Sequence, residues 1–205
     1  MKYIDIQNHL EKLKVFSTND LKILDDKYNK SKTSKWKESL YIKQIIKWYY
    51  ILNKIKLNNS LLFKISNIIY NPSYISLESA FSYYWIIPEQ VFSVTSVSTR
   101  KTNTFHTDIW TFEYKKIKNE LFFWYEILDI HDNKILIARL EKALIDYFYL
   151  YDNVKSIIDL EYLRFNKDIL KEKLNINILK KYSSLLNSKV VNKRVDLLVK
   201  YINND

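Results

Sequence analysis

Leu40-Tyr41-Ile42-Lys43-Gln44-Ile45-Ile46-Lys47-Trp48-Tyr49-Tyr50-Ile51-Leu52 decides the fold of the N-terminal part. Two runs rich in β-branched and aromatic residues, Leu40 to Ile46 and Tyr49 to Leu52, flank the dipeptide Lys47-Trp48, a spacing that reads as a hairpin. Upstream, Ile6, Leu10 and Leu13 share one helical face, and Ser17 or Thr18 caps a second short helix bearing Leu21, Leu24 and Tyr28. Between lies the polar, lysine-rich segment Asn29 to Ser39. Helix, helix, basic segment, hairpin is the order of a winged helix-turn-helix, whose third element enters the major groove while the hairpin tip reaches the backbone. The candidate DNA contacts are therefore Lys30, Lys32, Lys35 and Lys37 on the third element and Lys43 and Lys47 on the wing. Almost nothing apolar anchors the lysine-rich segment, so a short recognition helix and a solvated loop both fit it.

Further along, Leu61, Leu62, Ile65, Ile68 and Ile69 give Ser60 to Asn71 the period of a buried helix; Asn71-Pro72-Ser73 turns the chain, and Ser76 or Ser79 opens the next helix. Strands are expected at Val91 to Val97, Asn103 to Asp108, Thr111 to Lys116, Leu121 to Leu128 and Lys134 to Ala138, then a helix over 139–151 and three or four short amphipathic helices. The fold class is α+β: an N-terminal winged helix-turn-helix over 1–58, then a second unit over 59–205 made of a mixed α/β core (59–151) and an all-helical tail (152–205).

Charge divides the chain in the same way. Residues 1–70 carry 14 basic and 6 acidic groups, residues 71–150 carry 8 and 10, and residues 151–205 carry 11 and 7. A basic N-terminus on a neutral body is the electrostatic footprint of a nucleic-acid-binding module, although a lysine-rich, AT-biased proteome also produces it. With no cysteine and three scattered histidines (His9, His106, His131), no disulfide, thiolate or histidine metal site is expected, and no cofactor. No apolar run approaches the roughly 20 residues that span a bilayer, and the opening Met1-Lys2-Tyr3-Ile4-Asp5 is unlike a signal peptide, so a cytoplasmic chain without membrane partners is expected.

The 205 residues include no glycine, where roughly 14 would be usual. Lys, Ile, Asn, Tyr and Phe, whose codons are AT-rich, abound, yet five tryptophans break that trend. Trp85 follows a helical run and precedes Pro88, Trp110 parts two short strands, Trp48 sits in the hairpin, and Trp36 lies among lysines. These are turn positions rather than core positions, and turns that need positive φ resist a large side chain. The expectation is that Trp36, Trp48, Trp85, Trp110 and Trp124 are glycine in the natural protein, encoded by UGA; five ordinary tryptophans are the alternative.

The middle of the chain carries several ordered blocks: Asn71-Pro72-Ser73-Tyr74-Ile75-Ser76-Leu77-Glu78-Ser79-Ala80; Tyr83-Tyr84-Trp85-Ile86-Ile87-Pro88-Glu89; Val94-Thr95-Ser96-Val97-Ser98-Thr99-Arg100-Lys101-Thr102; and Ile137-Ala138 with Glu141-Lys142-Ala143-Leu144-Ile145-Asp146. Together they resemble the AbiEi-type antitoxins of type IV toxin–antitoxin systems, which serve abortive infection, a phage defence. The resemblance runs from about Ser60 to Tyr151, and its members usually carry glycine where this chain has Trp48, Trp85, Trp110 and Trp124. It implies a transcriptional regulator whose winged helix binds inverted repeats in its own promoter, as a monomer or weak dimer. It also implies an antitoxin part that counters a nucleotidyltransferase toxin without a tight complex. The chain departs from the pattern at its shortened recognition helix. A solitary winged-helix regulator without a toxin, and a protein-interaction module that does not bind DNA, are the rival readings.

Thr99-Arg100-Lys101-Thr102 sets two cations beside hydroxyls after a strand, a chemistry suited to phosphate or an acidic surface, unless Arg100 simply pairs with a carboxylate. Glu141, Lys142 and Asp146 read as structural, with Lys142 and Asp146 an i,i+4 pair. His106 reads as a surface or cross-strand residue, and Glu161 with Arg164 as an ion pair. No phosphate loop appears even with glycine at all five tryptophans, and no nucleophile elbow, so no catalytic residue is expected and the chain is read as a non-enzyme.

Overall fold

The computed structural model describes residues 3–89 and 91–204; Met1 and Lys2 of the opening segment lie outside them. The chain is α+β. It begins with α1 (Tyr3–Leu13), β1 (Val15–Ser17), α2 (Thr18–Leu24), α3 (Lys30–Glu38), β2 (Ile42–Ile46) and β3 (Tyr49–Leu52), whose strands form an antiparallel sheet in the order β1-β3-β2. One face of this sheet, with Phe16, Ile42, Tyr50 and Leu52, meets Ile6, Leu10, Leu21 and Trp36 of the three helices in a small core. The other face gives Val15, Ile45 and Ile51 to the main core of the molecule. A strand has two faces, and here each buries against a different body of protein.

The six-stranded sheet is built from β4 (Ser73–Ile75), β5 (Ser93–Ser98), β6 (Asn103–His106), β7 (Thr111–Lys116), β8 (Tyr125–Ile130) and β9 (Asn133–Ala138), in the order β6-β7-β5-β4-β9-β8. β5 runs parallel to β7, and β4 to β9; the other pairs are antiparallel. α4 (Asn59–Ile69), α5 (Leu77–Tyr83) and α6 (Leu140–Leu150) cover it. β4 meets β9 at a single register pair, Ile75 and Ile137. Asn67 of α4 extends that seam, its amide donating to Ser73 O and Leu136 O at 3.3 Å while its Oδ1 accepts from Leu136 N at 2.8 Å.

The tail consists of α7 (Ile157–Tyr162), α8 (Lys167–Lys173), α9 (Ile176–Leu185) and α10 (Lys189–Asn203). Arg194 of α10 is buried and fixes the tail to the core by donating to Phe148 O (2.5 Å), Tyr151 O (2.6 Å) and Val154 O (2.9 Å), carbonyls left open at the end of α6. Arg164 pairs with Glu89 at 3.1 Å rather than with Glu161, because Arg164 adopts φ 51° just past α7, which directs it away from that helix.

Sequence and structure agree on most elements and differ at the short ones. β1 and β4, three residues each, carry no periodic signal, and the run Leu121 to Leu128 divides into a 3₁₀ turn (Asn119–Leu121) and β8. The tryptophans separate into classes. Among the described residues Trp48, Trp85 and Trp124 take φ of 74°, 65° and 58°, the left-handed region that favours glycine. At Trp85 the bonds Trp85 N to Ser82 O (3.1 Å) and Ile86 N to Phe81 O (3.0 Å) close the end of α5 as a left-handed cap. Trp110 lies in the β6–β7 turn without positive φ, and Trp36 is a core residue of α3, 8% exposed with its ring against Tyr3. The expectation of five turn positions is therefore corrected at Trp36, which a small core needs, and Trp124 packs as well, stacked on Tyr182 at 3.4 Å.

Trp85 is 72% exposed, so Trp85→Gly should relieve left-handed strain and raise stability by about 1 kcal/mol. Trp36→Gly should cost about 3–5 kcal/mol through the lost ring and helix propensity. Urea unfolding of both variants checks the contrast; equal and opposite effects in the other direction would refute the assignment.

Candidate functional site

α3 forms although its sequence, Lys30-Ser31-Lys32-Thr33-Ser34-Lys35-Trp36-Lys37-Glu38, is almost wholly polar. Asn29 caps it, accepting from Lys32 N at 3.2 Å, while Tyr28 and Thr33 share a hydroxyl bond of 2.5 Å. Trp36 supplies the anchor. Of the two readings that the lysine-rich segment allowed, the helix is the one adopted.

The six candidate lysines divide by what each ammonium already touches. Lys32 lies against Asp25 at 2.5 Å and also donates to Lys27 O at 3.0 Å, so it closes the α2–α3 connection, and its ammonium holds the Asp25 carboxyl below the usual range. Lys37 donates to Gln44 Oε1 at 3.0 Å, tying α3 to β2. Lys47 sits 4.6 Å from the Trp48 ring centre at the β2–β3 tip. Lys30, Lys35, Lys43 and Lys47 are exposed. Lys30, Lys37 and Lys47 line one groove between α3 and the β2–β3 turn, floored by Tyr28, Thr33 and Tyr50. Lys35 and Lys43 lie outside its walls. Sequence reasoning missed Lys22 of α2, which lines the adjoining hollow with Lys30 and Trp48. Only the packing of α2 beside the turn brings it there, where Thr18 N donates to Trp48 O at 3.0 Å.

Thr99-Arg100-Lys101-Thr102 is the β5–β6 connection, and Arg100, Lys101 and Thr102 are exposed. Arg100 stands 4.1 Å over the Tyr70 ring and donates from Nη1 to Asn71 O at 3.3 Å. Among the described residues no carboxylate pairs with Arg100 or Lys101. Thr102 Oγ1 accepts from Lys116 N at 3.1 Å, which fastens the loop to β7. Tyr70, buried beneath the loop, and the exposed Lys116 were not legible as site residues.

Glu141, Lys142 and Asp146 are structural in geometry. Lys142 is 1% exposed and Asp146 fully enclosed. Asp146 Oδ1 accepts from Lys142 Nζ, and Oδ2 accepts from Tyr74 Oη and Ser76 Oγ, both at 2.9 Å. Glu141 Oε1 accepts from Asn175 N at 2.9 Å at the start of α9. His106 is a cross-strand residue, its Nδ1 3.3 Å from Thr111 Oγ1. Glu78, in the first turn of α5, differs from these. Its Oε2 is buried with no hydrogen-bond partner among the described residues, and burial, with a smaller contribution from the charge of Glu113, raises its carboxyl above the usual range.

Among the described residues no three His, Asp or Glu side chains gather as a metal set, and no helix is long and apolar enough to cross a membrane. No protein-family model matches the chain, and no curated protein matches it.

Removing one partner of the buried pair, by Asp146→Asn or Lys142→Met, should destabilise by about 3–5 kcal/mol, because the survivor is left charged and enclosed. A loss below about 1 kcal/mol in denaturant unfolding would show that the pair is not what holds α6. Glu78 supplies a pH test. Its raised folded value means that the folded state tolerates it best when protonated, below about pH 4.3, and loses that stability as pH rises through the raised value. Glu78→Gln should therefore raise the urea midpoint at pH 7 and leave it unchanged near pH 4; the opposite order would contradict the burial assignment.

Proposed function

We propose that the chain is a two-part antitoxin and operon repressor. Residues 1–58 serve as a winged-helix DNA-binding module, and residues 59–205 counter a nucleotidyltransferase toxin. The observation that carries the first half is the small sheet, ordered β1-β3-β2 behind α1, α2 and α3, with exposed lysines on both α3 and the β2–β3 tip. In a winged helix those two elements face the duplex together, the helix in the major groove and the tip on the backbone. Lys30, Lys35, Lys43 and Lys47 then meet phosphates, with Lys37 beside Gln44 at the groove floor, while Lys32 holds α2 to α3. A nine-residue α3 whose outward face carries Ser31, Ser34, Lys35 and Glu38 offers few base contacts, so most of the affinity comes from phosphates.

The second half rests on the ordered blocks from Asn71 to Asp146 that resemble AbiEi-type antitoxins. These blocks cluster around Asp146: Tyr74, Ser76 and Lys142 all bond it. The cations they leave exposed are Arg100 and Lys101 in the loop Thr99-Arg100-Lys101-Thr102, the contact with phosphate or an acidic surface in this reading. The toxin is antagonised without a permanent complex, and the chain acts as a monomer or weak dimer in the cytoplasm.

Growth of cells expressing the reading frame that neighbours this gene, with and without the full chain, tests the proposal. Rescue of a growth arrest is expected, and it should survive the fourfold change Lys30, Lys35, Lys43 and Lys47 to Ala, which touches only the DNA module. A toxic neighbour that is not rescued, or a harmless one, would contradict the antitoxin half.

A further inference from the structure

Tyr70 closes α4 and underlies the β5–β6 loop. Its ring carries the Arg100 guanidinium at 4.1 Å, its hydroxyl donates to Lys101 O at 2.7 Å, and its edges meet Phe105 at 5.6 Å and Tyr114 at 4.6 Å. An exposed arginine is ordinarily free to sweep solvent; this one is clamped between a ring and the Asn71 carbonyl, with no carboxylate partner among the described residues. Side chains alternate along a strand, so Lys116 follows Phe112 and Tyr114 on the α4 side of the sheet, and Tyr114 joins that side directly through Ser66. Phe105, on the edge strand β6, faces the same way and is only partly buried. Cations and an open aromatic ring thus interleave at one corner: Arg100, Lys101, Phe105 and Lys116.

From this placement we infer that the corner binds a single-stranded nucleic acid, for which RNA is the probe. One base stacks on the open face of the Arg100 guanidinium, continuing the stack begun by Tyr70, while Phe105 offers a second platform and Lys101 and Lys116 meet the flanking phosphates. Bases splayed from a single strand stack on aromatic rings and on guanidinium planes in this manner, whereas a duplex keeps its base faces covered. An acidic peptide fits less well, because carboxylates engage the N–H edges of a guanidinium and leave the stacking faces of Arg100 and Phe105 unused. The inference rests on reading the loop as the anion contact of the antitoxin part, and it names the ligand class: a single-stranded nucleic acid.

Fluorescence anisotropy of a labelled twelve-nucleotide RNA of mixed sequence, titrated with the full chain at several salt concentrations, tests it. Arg100→Ala should weaken binding about tenfold, and Arg100→Lys, which keeps the charge and loses the plane, should weaken it several-fold. Lys101→Ala with Lys116→Ala should lower the salt slope by about 1.4, the value for two phosphates of a single strand. These three changes lie at exposed side chains, and a thermal melt confirms that the variants fold. In the fourfold lysine variant, which removes the phosphate contacts of the N-terminal part, the dependence on Arg100 should persist. RNA binding that is indifferent to Arg100 and Lys101/Lys116, equal affinity for the same RNA as a duplex, or equally effective displacement by polyglutamate would each overturn the inference. Failure of growth rescue together with intact RNA binding would instead remove the antitoxin reading and leave this site standing.

Discussion

The enclosed ion pair of Lys142 and Asp146 is the constraint around which the larger part of the molecule is arranged. Both groups sit on α6 one turn apart, yet neither reaches water, so their charges must be satisfied within the protein. Asp146 does so by drawing in Tyr74 from β4 and Ser76 from the start of α5. Ser76 stands at the N-cap of α5 but gives its side chain to Asp146 and not to the helix. Lys142 in turn lies 5.6 Å from the ring centres of Tyr74 and Phe123. One strand of the central sheet, the helix after it and the helix that packs over both are thereby fixed at a single point. Tyr74, Ser76, Lys142 and Asp146 are the parts of this clamp.

The N-terminal part packs directly on that body. Its sheet lends one face to each core, and polar bonds reinforce the seam: Lys14 donates to His131 O at 3.0 Å and Asn133 Oδ1 at 3.1 Å, while Asn133 donates to Ser60 at 3.0 Å. The β8–β9 turn that provides these acceptors has His131 and Asp132 both in the left-handed region, the conformation of a tight hairpin.

Much of this was legible in the sequence where local physics is strong. Helices α4, α6 and α10 carry long apolar stripes, β7 alternates, and β2–β3 is rich in β-branched and aromatic residues around a two-residue turn. β1 and β4 were not legible because three residues give no period; they are strands only because neighbours accept them. α3 was ambiguous because its stability comes from one ring, Trp36, whose partner Tyr3 lies at the other end of the N-terminal segment. The same distance hid the candidate site. Arg100 and Lys101 could be read as an exposed cationic pair, but the ring that braces them belongs to Tyr70, some thirty residues earlier, and Lys116 enters through the parallel pairing of β5 with β7. Backbone strain was legible in a different way: the absence of glycine forces tryptophan into left-handed φ at Trp48, Trp85 and Trp124.

The proposed joint action of the lysines of α3, β2 and the β2–β3 tip on a DNA duplex is measured most directly by the salt dependence of binding to the promoter duplex, compared between the full chain and its fourfold lysine variant at positions 30, 35, 43 and 47. Affinity should fall steeply with salt, prefer the inverted repeat about a thousandfold over unrelated duplex, and lose about 0.9 of its slope for each phosphate contact removed. Weak binding with no promoter preference and an unchanged slope in the variant would contradict it.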